Sequence, residues 1–176
     1  VGSAGKAVKG DEIRIQNPNE RGEGEVLIKG ETVMLGYYED PETTAEVMKD
    51  GWFNSGDIGF LDEDGFLYIT GRSKNVIVTQ NGKNIYPEEI EDKLNVQEGV
   101  SESIIVEREG RLVALIFPDE QMSKRLSVEE LQQLMRENIK KLNKLIPGYS
   151  RVSDVEIKKE PFEKTPKKSI KRFLYK

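Results

Sequence analysis

Two hydropathy patterns meet in this chain, and the point where one replaces the other limits the folds open to it. Up to Thr70 the apolar residues come in short runs divided by glycine-rich or acidic turns. Ile13 and Ile15 alternate with polar neighbours over Glu12–Gln16, and Val26, Leu27 and Ile28 fill Glu25–Lys29. Phe66–Thr70 follows Asp62-Glu63-Asp64-Gly65, a hairpin turn in which Gly65 can take positive φ. One short helix over Pro41–Met48 interrupts these strands. Asp40 supplies its N-cap, Pro41 suits the first helical position, and Asp50-Gly51 closes it.

Beyond Arg72 the pattern becomes mixed. Val76–Thr79 and Lys83–Ile85 flank Asn81-Gly82, a strong hairpin signal. A helix is expected from Pro87, with Glu88 and Glu89 complementing the positive end of its dipole. Ser103–Glu107 and Arg111–Phe117 form a second hairpin around Glu109-Gly110. Ser127 and Glu130 make a capping box. Leu131, Leu134, Met135, Asn138, Ile139, Leu142 and Leu145 then recur at helical spacing until Pro147-Gly148. Val155–Ile157 reads as the last strand. The fold class is therefore α+β, with a boundary between residues 72 and 73. No Gly/Ser linker marks that boundary, so a short hinge is expected there rather than a tether.

The 176 residues suffice for one ordinary domain or two small ones. With no cysteine, the chain has no disulfide framework, thiol nucleophile or zinc–thiolate site, which suits a reducing cytoplasm. With no histidine, it has no Ser-His-Asp relay and no imidazole metal site. Chemistry must run on lysine, arginine, carboxylates and backbone dipoles. A net charge of −5 argues against a general nucleic-acid binder. No apolar run approaches the roughly 20 residues that span a bilayer. The opening Val1-Gly2-Ser3-Ala4-Gly5 has neither an initiator nor an apolar signal segment, and is expected to be an internal cut.

Five residues are candidates for a site. Asp57, between Gly56 and Gly59, offers a carboxylate that can accept two parallel hydrogen bonds from a vicinal diol such as a ribose. The plain alternative is a turn aspartate that caps backbone amides. Arg72 ends a strand and can reach a phosphate or a ribose hydroxyl, or can serve a structural ion pair. Lys74 suits a hinge or is simply solvated. Gly82 is required by its turn, and its missing side chain also leaves room for a thin ligand. Lys168 lies in the cationic stretch Lys164–Arg172, where a lysine could stabilise charge developing on phosphate oxygens. A solvated or disordered basic end is the alternative there.

Taken in order, these segments resemble the C-terminal part of the AMP-forming adenylate ligases. That superfamily comprises the acyl-CoA synthetases, luciferases and peptide-synthetase adenylation domains. The likeness is carried by Gly22–Glu25 through Gly36-Tyr37-Tyr38, Asp50–Asp57, Gly71-Arg72-Ser73-Lys74, and Asn81-Gly82-Lys83-Asn84-Ile85-Tyr86-Pro87-Glu88-Glu89-Ile90-Glu91. It implies that residues 1–72 are a β-rich, distorted-barrel subdomain ending the large N-terminal part, and that 73–176 are a mobile lid. By the same resemblance Asp57 binds the ribose of ATP and of the acyl-adenylate, and Arg72 assists at the ribose or phosphates. Lys74 becomes the hinge, and Gly82 lies where the pantetheine arm of CoA enters. The family's adenylation lysine belongs to a Thr-x-x-Gly-Lys-Ile-x-Arg pattern. Aligning Thr165, Ile170 and Arg172 sets Ser169 at that position, so Lys168 is the expected substitute, with Lys171 and Lys167 behind it.

The function this resemblance implies is an ATP-dependent fatty acid–CoA ligase, nearest the long-chain variant, using ATP, CoA and magnesium. Its phosphate-binding loop and magnesium ligands would lie upstream, so this chain alone is expected to fold without activity. Peripheral membrane contact through the basic end is a further expectation. The alternatives are an adenylating enzyme that loads a carrier protein, a luciferase-type oxidation, and a non-enzymatic interaction module.

Overall fold

The structure is a computed structural model and describes residues 2–79 and 82–175. It divides into two compact units, Val1–Asn75 and Val76–Lys176.

The first unit is an antiparallel sheet of five strands: β1 (Asp11–Gln16), β2 (Gly24–Gly30), β3 (Met48–Lys49), β4 (Trp52–Leu61) and β5 (Leu67–Arg72). β4 is its axis, since β2, β3 and β5 all pair with it and β1 pairs with β2. The expected acidic hairpin turn joins β4 to β5. Asp62 Oδ1 accepts the backbone N–H groups of Asp64 and Phe66, and Gly65 takes φ +80°. Helix α1 (Pro41–Val47) is capped by Asp40, whose side chain accepts the Thr43 N–H at 2.9 Å. It ends one residue before the sequence suggested, because Met48 leaves it to pair with Phe53.

The second unit is a three-stranded sheet in the order β10-β9-β8, covered on both faces. It opens with the small hairpin β6 (Ile77–Val78) and β7 (Asn84–Ile85), then α2 (Pro87–Asn95), β8 (Val100–Arg108) and β9 (Arg111–Pro118). The expected hairpin turn at Asn81-Gly82 falls partly outside the described residues, since Asn81 is not among them; Gly82 takes φ +72°. Helices α3 (Glu120–Arg125) and α4 (Val128–Leu142) follow, and β10 (Val152–Ile157) returns parallel to β9. A parallel pair needs a crossover, and α3 and α4 provide it.

Alternation along β8 and β9 sends their apolar residues to opposite faces. Ile105, Leu112, Ala114 and Ile116 meet Ile90 and Leu94 of α2 and Leu131, Met135, Ile139 and Leu142 of α4. Ile104, Val106 and Leu115 meet Phe162, Ile170 and Tyr175 on the other side. The basic end is therefore part of the fold, packed against the sheet, rather than a loose tail.

Two further departures from the sequence reading have local causes. Helix α4 stops at Leu142 rather than before Pro147. Asn143 caps it and turns its side chain to β10, giving Nδ2–H to the Val152 carbonyl (2.8 Å) and accepting the Val152 N–H (2.9 Å). Leu145, which the spacing placed on the buried stripe, is exposed. Short α3 was not anticipated; Asp119 caps it by accepting the Met122 N–H.

Candidate functional site

Asp57 lies within β4, opposite Arg72 on β5. The strand is irregular at this point. Leu27 pairs with Asn54 and Glu25 with Ile58, so Ser55-Gly56-Asp57 face the single residue Val26. Gly56 takes φ +72° within this bulge, and Ser55 Oγ donates to the Val26 carbonyl while accepting the Asp57 N–H. A bulge re-aims the side chain beside it. Here it brings Asp57 Oδ1 to 3.0 Å from Arg72 Nε, and Arg72 Nη1 donates to the Ser55 carbonyl at 3.2 Å. The Asp57 side chain is 24% exposed and that of Arg72 60%, so the pair is open to a ligand.

The turn-aspartate alternative does not hold, and the ion-pair alternative for Arg72 is realised with Asp57 itself. The two glycines flanking Asp57 do different work. Gly56 serves the bulge. Gly59 is buried against β5, where a Cβ would collide with the Tyr68 carbonyl oxygen, so it serves strand pairing rather than ligand access.

Lys74 is exposed in a 3₁₀ turn, Ser73–Asn75, immediately before the division between the units. Gly82 is exposed, and a Cβ built on it would meet nothing within 4 Å. Thr79 braces this turn: its carbonyl accepts the Gly82 N–H and its hydroxyl accepts the Lys83 N–H. Beside it lies a cavity of about 260 Å³ whose lining includes Thr79, Lys83, Arg111, Tyr149 and Arg151. Sequence reasoning did not single out Arg111, Tyr149 or Arg151, since Arg111 on β9 is far in sequence from the other two. A larger cavity, about 980 Å³ along β10, is lined by none of the five candidate residues.

Lys168 is exposed at the tip of a tight turn. Its N–H reaches the Thr165 carbonyl, Thr165 N–H reaches the Ser169 carbonyl, and Lys168 takes φ +63°. That left-handed conformation favours glycine, and Lys168 stands where the resembling pattern carries its glycine. Three other cations of this stretch have carboxylate partners: Lys164 with Glu102, Lys171 with Glu163, and Arg172 with Glu91. Among the described residues no group of three acidic side chains could hold a metal ion. No helix among them is long and apolar enough to cross a membrane.

The first unit thus bears a carboxylate paired with a guanidinium, and the second exposes a lysine at the tip of a tight turn. Residues 74–175 match the family described as the AMP-binding enzyme C-terminal domain, and the chain belongs to it. It is 43% identical over 106 residues to the long-chain-fatty-acid–CoA ligase FadD15 of Mycobacterium tuberculosis, a stretch covering 60% of this chain and 17% of that protein. It is 36% identical over 149 residues to a 2-succinylbenzoate–CoA ligase of Geobacillus sp., covering 80% of this chain and 30% of that protein. The chain thus spans less than a third of either relative. Among solved structures, O-succinylbenzoate coenzyme A synthetase from Bacillus subtilis in complex with AMP superposes with a TM-score of 0.77 at 26% identity. That match covers all of this chain and 35% of the other.

Proposed function

We propose that this chain is the C-terminal part of an ATP-dependent, AMP-forming acyl-CoA ligase that acts on fatty acids. In the first half-reaction a substrate carboxylate oxygen attacks the α-phosphorus of ATP, and pyrophosphate leaves. In the second, the CoA sulfur attacks the acyl carbonyl, the thiol proton is lost and AMP departs.

The observation that carries this reading is the Asp57–Arg72 pair on its bulge. Asp57 accepts the ribose hydroxyls, and Arg72 holds the carboxylate in place while presenting its remaining N–H groups to the ribose or phosphates. Lys168 brings an ammonium group to the oxygens that gain charge as pyrophosphate leaves. Its exposed place at the tip of the turn supports this over Lys171, which is engaged with Glu163. Lys167, exposed on the same turn, is the reserve.

Lys74 is the hinge about which the second unit turns between half-reactions, keeping water from the mixed anhydride in each. Gly82 admits the pantetheine arm. The adjoining cavity, with Arg111, Arg151 and Lys83 for phosphates and Tyr149 for a base to stack on, suits the nucleotide end of CoA. Magnesium accompanies ATP and would shield its phosphates. Its ligands, and the phosphate-binding loop, lie outside this chain in this reading.

The test is carboxylate-dependent exchange of pyrophosphate into ATP, followed by transfer to CoA, in the protein that contains this chain. Long-chain fatty acids should be activated in preference to 2-succinylbenzoate, and CoA should be used in preference to a carrier protein. Exchange driven by 2-succinylbenzoate alone would move the substrate class, and transfer to a carrier protein alone would remove CoA.

A further inference from the structure

Glu91 is a buried acid that the reaction as proposed leaves without a role. It lies on the inner face of α2, 6% exposed. Its Oε1 accepts the Ile105 N–H of β8 at 2.6 Å, and its Oε2 pairs with Arg172 Nη2. Arg172 Nε stands 4.0 Å from Glu88 Oε1, and the Arg172 side chain is 17% exposed despite the cationic stretch around it. An enclosed pair of this kind adds little stability, because the loss of hydration offsets the attraction. Burial dominates here and pushes the Glu91 carboxyl up to about 7, against the pull of Arg172 and the Ile105 N–H. The pair does fix geometry.

What it fixes is the segment that carries the exposed lysines. At the entering end, Phe162 is buried edge-on to Tyr175, whose hydroxyl accepts the Glu163 N–H at 2.8 Å, and Lys164 pairs with Glu102. At the leaving end, Lys171 N–H returns to the Glu163 carbonyl at 2.8 Å, and Arg172 enters the Glu91 pocket. Residues 165–169 form the turn between these two anchors, and Pro166, Lys167, Lys168 and Ser169 are exposed on it.

We propose that Glu91 is a positioning residue: through Arg172 it clamps the leaving end of the 165–169 turn to α2, and so fixes where the turn's lysines meet the nucleotide. The chemistry of this inference rests on the ligase reading, whereas the clamp is a property of this chain alone. A displacement of about 1 Å in a reacting group can cost on the order of a hundredfold in rate, so an anchor four residues from the lysine has leverage.

Two variants separate placement from folding. Glu91→Gln keeps an acceptor for the Ile105 N–H and removes the charge, and Arg172→Gln removes the partner. Amide exchange at Thr165, Lys168 and Lys171 in the 176-residue chain should quicken about ten- to a hundredfold in either variant, and no further in the double. Amides of α4 should not change. In the ligase that contains this chain, Glu91→Gln should lower kcat for adenylation about tenfold with the KM for ATP unchanged. Thioester formation from supplied acyl-adenylate should persist. Unchanged exchange in both single variants overturns the clamp, as does loss of protection throughout α4; faster exchange with undiminished adenylation overturns its role in placing the lysines for the reaction. If the unaltered protein forms no acyl-adenylate, the ligase reading and the adenylation role of the clamp fall together. The exchange measurement then still decides whether Glu91 and Arg172 hold the turn.

Discussion

Asp57 and Arg72 face each other across β4 and β5, with Oδ1 and Nε 3.0 Å apart, and the backbone that holds them is bulged on both flanks. On one side two extra residues of β4 face β2. On the other, Thr70 is the extra residue of β5, and its hydroxyl donates to the Ile58 carbonyl. A regular strand would present Asp57 elsewhere. Exposed pairs of this kind contribute about 1 kcal/mol or less to stability, so the pair adds little to the fold.

Gly59 anchors that register. Gly59→Ala would force its Cβ into the Tyr68 carbonyl and push β4 from β5. The expected cost is about 1–3 kcal/mol in chemical denaturation. Gly56→Ala meets no such contact but carries the strain of its positive φ, about 1–2 kcal/mol.

Lys168 allows stability and chemistry to be moved in opposite directions. Lys168→Gly relieves the left-handed backbone at φ +63° and should stabilise the turn by about 1 kcal/mol. It should also lower adenylation, because the ammonium group is gone. A stable variant with full adenylation would transfer the role to Lys167 or Lys171.

Glu91 gives a pH dependence of defined sign. Its carboxyl is raised from 4.5 to about 7, so the folded chain holds a proton that the unfolded chain has already released. The charges facing it are Glu88 from its own helix, which raises it further, and Arg172 from the tail, which opposes; β8 contributes only the Ile105 N–H. The stability due to this group is present in full below about pH 4.5 and is lost as pH rises through about 7. Glu91→Gln should remove that slope from a urea series, whereas the tail clamp itself should strengthen over the same interval as Glu91 ionises.

Asn143 joins the end of α4 to the start of β10 by two hydrogen bonds to Val152. Asn143→Ala should cost about 1–3 kcal/mol. Leu145→Ala should cost well under 1 kcal/mol, because that side chain is exposed. Thermal unfolding of the two variants distinguishes the caps from the apolar spacing.

The parts legible in the sequence were those written in local signals. Asp40 before Pro41, the Asp62–Gly65 turn, and Ser127 with Glu130 each act within a few residues, and the structure realises all three. Strand β4 was harder to see because its bulge breaks the alternation through Asn54–Asp57 just where Asp57 is presented. The role of the basic end was hidden for a different reason. Phe162, Ile170 and Tyr175 have no periodic spacing, yet they cover one face of the β8–β9 sheet. Glu91 sits in an acidic helical run, and its burial depends on partners distant in sequence, the Ile105 N–H of β8 and Arg172.

The central claim is that Asp57 grips the ribose of the nucleotide. Its most direct test is kcat/KM for acyl-adenylate formation, the proposed activity, by the Asp57→Ala variant of the protein that contains this chain. Removal of a charged hydrogen-bonding group should cost about 1.5–3 kcal/mol, a fall of roughly ten- to a hundredfold. An efficiency equal to that of the unaltered enzyme would contradict the account.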